Sequence, residues 1–155
     1  MKKWKVLLPA AAAGIFAALQ FFNPARTNPP VILDFIAAAR PPATVATTIR
    51  AACYDCHSSE TKWPWYSHIA PVSWLIVADT DEGREHLDFS DWPDEPARAA
   101  KKLDRINEVL DYREMPPKKY TLIHADARLT EIQRKEIMDW TDTAAAKLRA
   151  TSTNN

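Results

Sequence analysis

The sequence predicts an all-α domain of four to five short helices behind one apolar N-terminal helix. Three observations carry this reading. The 155 residues include only two glycines, so tight reversals that need positive φ are scarce and strands find few hairpins. Twelve prolines punctuate the chain, several of them where a helix would begin, a position at which the missing N–H costs nothing. Between the prolines, apolar residues recur at three- and four-residue spacing. No internal repeat is visible.

The first element is N-terminal. Lys2, Lys3 and Lys5 precede a mostly apolar run from Val6 to Phe22, the layout of an export signal. At 17 residues the run is at the short end for a membrane span and long for a cleaved signal. Its small residues, Ala10 to Gly14, lie mid-run, and Asn23-Pro24-Ala25-Arg26 makes a poor Ala-x-Ala cleavage site. Residues 1–27 are therefore expected to remain as an uncleaved signal anchor rather than a removed signal peptide. Three lysines before the apolar segment against one arginine after it place the N-terminus in the cytoplasm. The remainder is then expected outside the bacterial inner membrane, in the periplasm or its equivalent.

Residues 28–150 form the expected domain. A helix follows Pro41-Pro42, with Val45, Ile49, Ala52 or Cys53, and Cys56 on one stripe. A second begins near Pro71 with Val72, Leu75 and Ile76 and ends around Gly83 to Leu87, although by periodicity Val72 to Ala78 also suits a buried strand. The third runs from about Glu95 to Leu110, with Ala99, Leu103, Ile106 and Leu110 on one face. The fourth opens on a capping box, Thr130 with Gln133 three residues on, and continues through Ile137, Trp140, Ala144 and Leu148. Residues 151–155 are expected to fray.

Formal neutrality hides an asymmetry. All 20 acidic residues lie from Asp34 onward, whereas four of the 20 basic ones precede it, so the domain carries a net charge of −4. A mildly acidic domain argues against nucleic acid as a partner. Most of these charges read as an ordinary solvated surface.

The chemistry is concentrated in Cys53-Tyr54-Asp55-Cys56-His57, a Cys-x-x-Cys-His stretch that uses both cysteines of the chain. This is the signature of covalent c-type haem attachment. On a helical turn, residues three and four apart share a face. Two thiols can then form thioethers to the haem vinyl groups while the imidazole of His57 reaches the iron. A thioredoxin-like dithiol would need a βαβ setting, which is absent upstream. A zinc site would need further ligands at close spacing, and His68, His86 and His124 are scattered singly. Bulky aromatics follow the motif at Trp63, Trp65, Tyr66, Trp74, Phe89 and Trp92, as haem lining or as ordinary core.

The ligand opposite His57 decides the function. A methionine thioether raises the reduction potential and leaves a closed, electron-carrying site, whereas an empty position would permit binding or catalysis. Met1 belongs to the signal, and Met138 lies within a helix where packing is its default role. Met115 lies between helices, 58 residues after His57, and is followed by Pro116-Pro117, which rigidify the loop. It is the expected second axial ligand, with His68 and His124 as the next candidates.

Several motifs occur in a fixed order: Cys53 to Ser58, Thr61 to Ser67, Pro71 to Trp74, Gly83-Arg84, Phe89 to Trp92, Met115 to Tyr120, His124 and Trp140. On these the chain resembles the haem-binding domain family of small bacterial c-type cytochromes, over about 90 residues of the domain. The resemblance implies a cytochrome c-like helical fold around one haem c held through Cys53, Cys56 and His57. It also carries one departure, because Ala78 stands about where members carry a His, and alanine supplies no iron ligand. Arg84, Trp63, Trp65 and Tyr120 are secondary candidates for hydrogen bonding to haem propionates, or else for surface pairing and core packing.

The expected function is that of a membrane-tethered mono-haem cytochrome that passes single electrons to unidentified redox partners and is not itself an enzyme. The rival is a haem domain with an open or exchangeable sixth position, acting as a peroxidase-like enzyme or a gas or redox sensor. A peroxidase needs a distal base and a cation, which His68, His86, His124 and Arg84 could in principle supply.

Overall fold

A computed structural model describes residues 4–152. Among these residues there is no strand, and extended segments meet only at an isolated parallel bridge between Leu33 and Asp91. The N-terminal helix α1 spans Trp4–Leu19 and continues as a 3-10 turn, Gln20–Phe22. No residue of α1 is buried, and Trp4–Phe22 is long and apolar enough to cross a membrane.

The helix expected after Pro41-Pro42 is α3, Ala43–Ala52, preceded by a five-residue α2, Phe35–Ala39. Asp34 caps α2 by accepting from Ala37 N at 2.9 Å. Arg40 then takes the left-handed conformation at φ 50 and reverses the chain into α3. The inward stripe of α3 is Val45, Ile49 and Ala52, as its spacing predicts. It does not run on through the motif. Cys53, at φ −126 and ψ −33, breaks the helix, and Tyr54–His57 forms a separate turn, α4.

The segment after Pro71 is a helix, α5, Val72–His86, and not a strand. Its inward face differs from the one that its apolar residues mark. Ser73, Val77 and Thr80 are buried, whereas Val72, Trp74 and Leu75 are exposed. Helix α6, Pro96–Asp111, starts at a proline whose predecessor, Glu95, accepts from Ala97 N and Arg98 N. A four-residue α7, Lys118–Thr121, follows the Met115 loop, and α8, Glu131–Ser152, closes the chain. Its capping box is present: Gln133 N donates to Thr130 Oγ1 at 3.2 Å, and Thr130 N donates to Gln133 Oε1 at 2.9 Å. Thr151 and Ser152 continue α8, and the rest of the expected frayed tail lies outside the described residues.

Helices α6 and α8 pack antiparallel. Arg149 pairs with Asp104 at 2.8 Å, Asn107 Nδ2 donates to Met138 O at 3.0 Å, and Arg134 donates to Leu110 O at 2.9 Å. Between them and α3 lies a core of Leu103, Ile106, Leu110 and Ile137, extended by Ile49, Phe35, Phe89 and Trp92. Phe35 stands 4.5 Å from Trp92 and 4.7 Å from Phe89, ring centre to ring centre. Phe89 and Trp92 are thus core, whereas Trp65 and Trp74 are exposed.

Candidate functional site

The break at Cys53 builds the site. Cys53 N still donates to Ile49 O of α3, while Cys53 O accepts from both Cys56 N at 3.2 Å and His57 N at 3.0 Å. One carbonyl thereby winds Cys53–His57 into a tight turn, and Cys53, Cys56 and His57 all line one cavity. Tyr54, on the other side of the turn, is buried against Phe89 at 5.2 Å and donates to Asp34 Oδ2 at 2.9 Å.

The imidazole is held by α5. His57 Nδ1 lies 2.8 Å from Gly83 O and 2.9 Å from Leu87 O. Carbonyls only accept, so Nδ1 carries the proton and the Nε2 lone pair is left for a ligand. Burial lowers the His57 pKa below its ordinary 6.5, against the two carbonyls, which raise it. The neutral ring that can bind a metal is the favoured form. This contact requires glycine at position 83, where a Cβ would fall 2.7 Å from Cys56 O.

The cavity has a volume of about 410 Å³. Ile49, Ala52, Leu87, Phe89, Ile106, Val109, Leu110 and Ile137 give it apolar walls, and Cys53, Cys56, His57 and Met115 all line it. Charged side chains at the lining are Asp79, Glu82, Arg105, Glu114 and Lys119, with Lys119 Nζ 2.7 Å from Asp79 Oδ1, and His86 lies among them. Burial, reinforced by the neighbouring thiol, pushes Cys53 up to about 12. Burial and the nearby Asp55 and Asp79 carboxylates push Cys56 up to about 11. Thiols held protonated are poor zinc ligands and poor redox nucleophiles. No cluster of three or more potential metal-binding side chains occurs among the described residues.

Met115 joins the cavity lining from the loop between α6 and α7. Its N–H donates to Val109 O at 3.3 Å, and its carbonyl accepts from Arg134 Nη1 at 3.3 Å, so α6 and α8 both fasten the loop. The Met115–Pro116 peptide bond is cis. His68 and His124 are not part of the lining. His68 is exposed, and His124 is engaged by Tyr66 Oη at Nε2 (2.7 Å) and by Tyr120 O at Nδ1 (3.2 Å).

Arg84 bonds to neutral oxygens rather than to a surface carboxylate. It donates to Ser58 O and Thr27 O, each at 2.9 Å, to Thr61 Oγ1 at 2.8 Å and to Asn28 Oδ1 at 3.1 Å, tying the N-terminal linker to the loop after the motif. Trp63 Nε1 joins the same knot at Asn28 Oδ1, 3.2 Å away. Tyr120 does line the cavity, with its hydroxyl donating to Asp55 Oδ2 at 2.9 Å. Sequence reasoning assigned no role to Gly83, although a glycine inside a helix that has only one is itself a signal of close approach. A deep cavity with apolar walls, two adjacent thiols, a presented imidazole nitrogen and a thioether suits a haem: apolar faces for the macrocycle, soft and nitrogen donors for its edge and iron.

Comparison with known proteins agrees with this chemistry. The model of a family described as haem-binding domain matches residues 14–143. Cytochrome c peroxidase of Escherichia coli (strain K12) is 28% identical over 97 residues, covering 57% of this chain and 20% of that protein. The chain thus spans about a fifth of the length of the curated relative it matches. No solved structure matches.

Proposed function

The chain belongs to the haem-binding domain family, and on that premise we propose that it is a membrane-tethered mono-haem c-type cytochrome that carries single electrons. Residues 1–27 are the anchor and 28–150 the haem domain. The observation that carries this reading is that Cys53, Cys56 and His57, neighbours in sequence, and Met115, 58 residues after His57, line one cavity. Bound there, haem would supply an iron that gains and loses one electron. Cys53 and Cys56 would hold it through thioether bonds, His57 through Nε2 and Met115 through sulfur.

The protein's own part is positioning and exclusion. Gly83 O and Leu87 O fix the ring plane and tautomer of His57. The hydrogen bonds from α6 and α8 to the Met115 loop oppose its withdrawal, which keeps the site closed to small molecules. Apolar walls exclude water, and that limits the reorganisation that accompanies electron transfer. The α1 segment would confine the domain near membrane redox complexes and raise its effective concentration there. Lys2, Lys3 and Lys5 favour an N-terminus in the cytoplasm and the domain in the periplasm.

A second reading, a peroxidase-like enzyme or sensor with an exchangeable sixth position, draws on His86 at the cavity lining and on the peroxidase relative. Carbon monoxide separates the two: the closed site predicts no binding to the reduced protein, and binding would favour the second reading. Covalent attachment is tested on a denaturing gel stained for haem peroxidase activity. The stain should stay with the polypeptide and be lost when Cys53 and Cys56 are both replaced by Ala. Extraction of the haem into acidified solvent would contradict covalent attachment.

A further inference from the structure

Helix α5 turns its apolar side chains outward at one end only. Val72, Trp74 and Leu75 are exposed while Ser73 and Val77 face inward. No charged residue occurs from Val72 to Ala78, and from Asp79 to His86 charges crowd the helix. The end of the apolar N-terminal segment is fastened to this uncharged tip. Gln20 Nε2 donates to Ala70 O at 3.2 Å, and Ala70 N donates back to Gln20 Oε1 at 3.0 Å. Ser73 Oγ donates to Asn23 Oδ1, and Trp74 Nε1 donates to Phe22 O at 2.9 Å. Phe21 and Phe22, 88% and 73% exposed, stand at the same junction.

We propose that Val72, Trp74 and Leu75, together with Phe21 and Phe22, form a membrane seat that rests in the interfacial zone of the bilayer crossed by α1. The proposal rests on the reading of α1 as a membrane span. Lipid is the occupant because of continuity: Trp74 is bonded to the last residue of the apolar segment, so the patch cannot leave the bilayer surface while that segment is inserted. The chemistry agrees. An indole with its N–H satisfied by a backbone carbonyl, flanked by aliphatic and phenyl groups, is the composition favoured at the headgroup level. Multiple hydrogen bonds across the junction replace a flexible linker with a fixed attachment. The domain is therefore docked on the membrane in one orientation. About 12 Å of helix rise separates Leu75 from Gly83, which places the cavity end of α5 at a set distance along the helix from the seat.

Hydroxyl-radical footprinting of the full chain in phosphatidylcholine–phosphatidylglycerol nanodiscs tests this, with one chain per disc so that a second copy cannot cover the patch. Leu75 and Leu122 are 66% and 74% exposed, so in water their side chains would oxidise at similar rates. The seat predicts oxidation of Leu75 roughly fivefold or more below that of Leu122, because acyl chains exclude water from it. In Val72→Glu, a change at an exposed first-turn position where an acid is tolerated, oxidation of Trp74 should rise several-fold while the chain still co-elutes with the discs. Equal oxidation of Leu75 and Leu122 in chains that co-elute with discs would overturn the seat and leave the anchor standing. Failure to co-elute would overturn the anchor and the seat with it.

Discussion

The Nδ1–H of His57 is shared between two carbonyls at 2.8 and 2.9 Å, and this bonding, together with burial, sets how the site responds to pH. The folded-state pKa of His57 lies below 6.5, so the fold favours the neutral ring. Its contribution to stability is present above pH 6.5 and is lost as pH falls through the depressed value, at no more than about 1.4 kcal/mol per unit. The thiols act at the other end of the scale. Raised from 9.0 to about 12 and about 11, Cys53 and Cys56 favour the fold below pH 9, and that contribution is lost as pH rises through the folded values. Thioethers do not titrate. Denaturant midpoints measured against pH should therefore fall above pH 9 more steeply in the haem-free chain than in the loaded protein. Equal alkaline slopes would mean that the thiols stay free in both.

At the scale of elements, the packing of α5 on α4 depends on a missing side chain. Gly83→Ala improves helix propensity by about 1 kcal/mol, yet its Cβ would meet Cys56 O at 2.7 Å. Backbone cannot yield as a flexible side chain can, so a net loss of about 1–3 kcal/mol is expected in chemical denaturation. The variant should also perturb the haem spectrum, because Gly83 O holds His57. A variant as stable as the parent, with an unchanged spectrum, would show that the close approach is dispensable. The elements readable in the sequence were those set by local chemistry: the proline-led starts of α3, α5 and α6, and the Thr130–Gln133 box of α8. Helices α2, α4 and α7, of four or five residues, are too short to show a period. The inward face of α5 was misleading because it abuts backbone, the turn at Cys56 and the linker at Asn23, which small and polar side chains fit better than large apolar ones. Arg84 was unreadable for a related reason. Its partners Thr27, Asn28, Ser58 and Thr61 come together only in the fold.

At the scale of the molecule, the chain encloses its cavity from two sides. The turn at Cys53–His57 and the end of α5 supply one wall, and the α6–α8 pair with the Met115 loop supplies the other. The pentapeptide could be recognised from sequence because its chemistry is contiguous. Met115 could be nominated from its prolines, but its presence on the same cavity required the antiparallel docking of α8 on α6. His86, which the sequence offered as one of three scattered histidines that could serve a peroxidase-like site, is the histidine besides His57 that reaches the lining among the described residues. The choice between an electron carrier and an open catalytic site therefore rests on which side chain faces His57. The near-infrared absorption spectrum of the ferric protein, recorded for the parent and for Met115→Ala, tests this most directly. Ligation by Met115 predicts a sulfur-to-iron band in the parent that disappears in the variant. A parent without the band, or a band that survives the substitution, would contradict it.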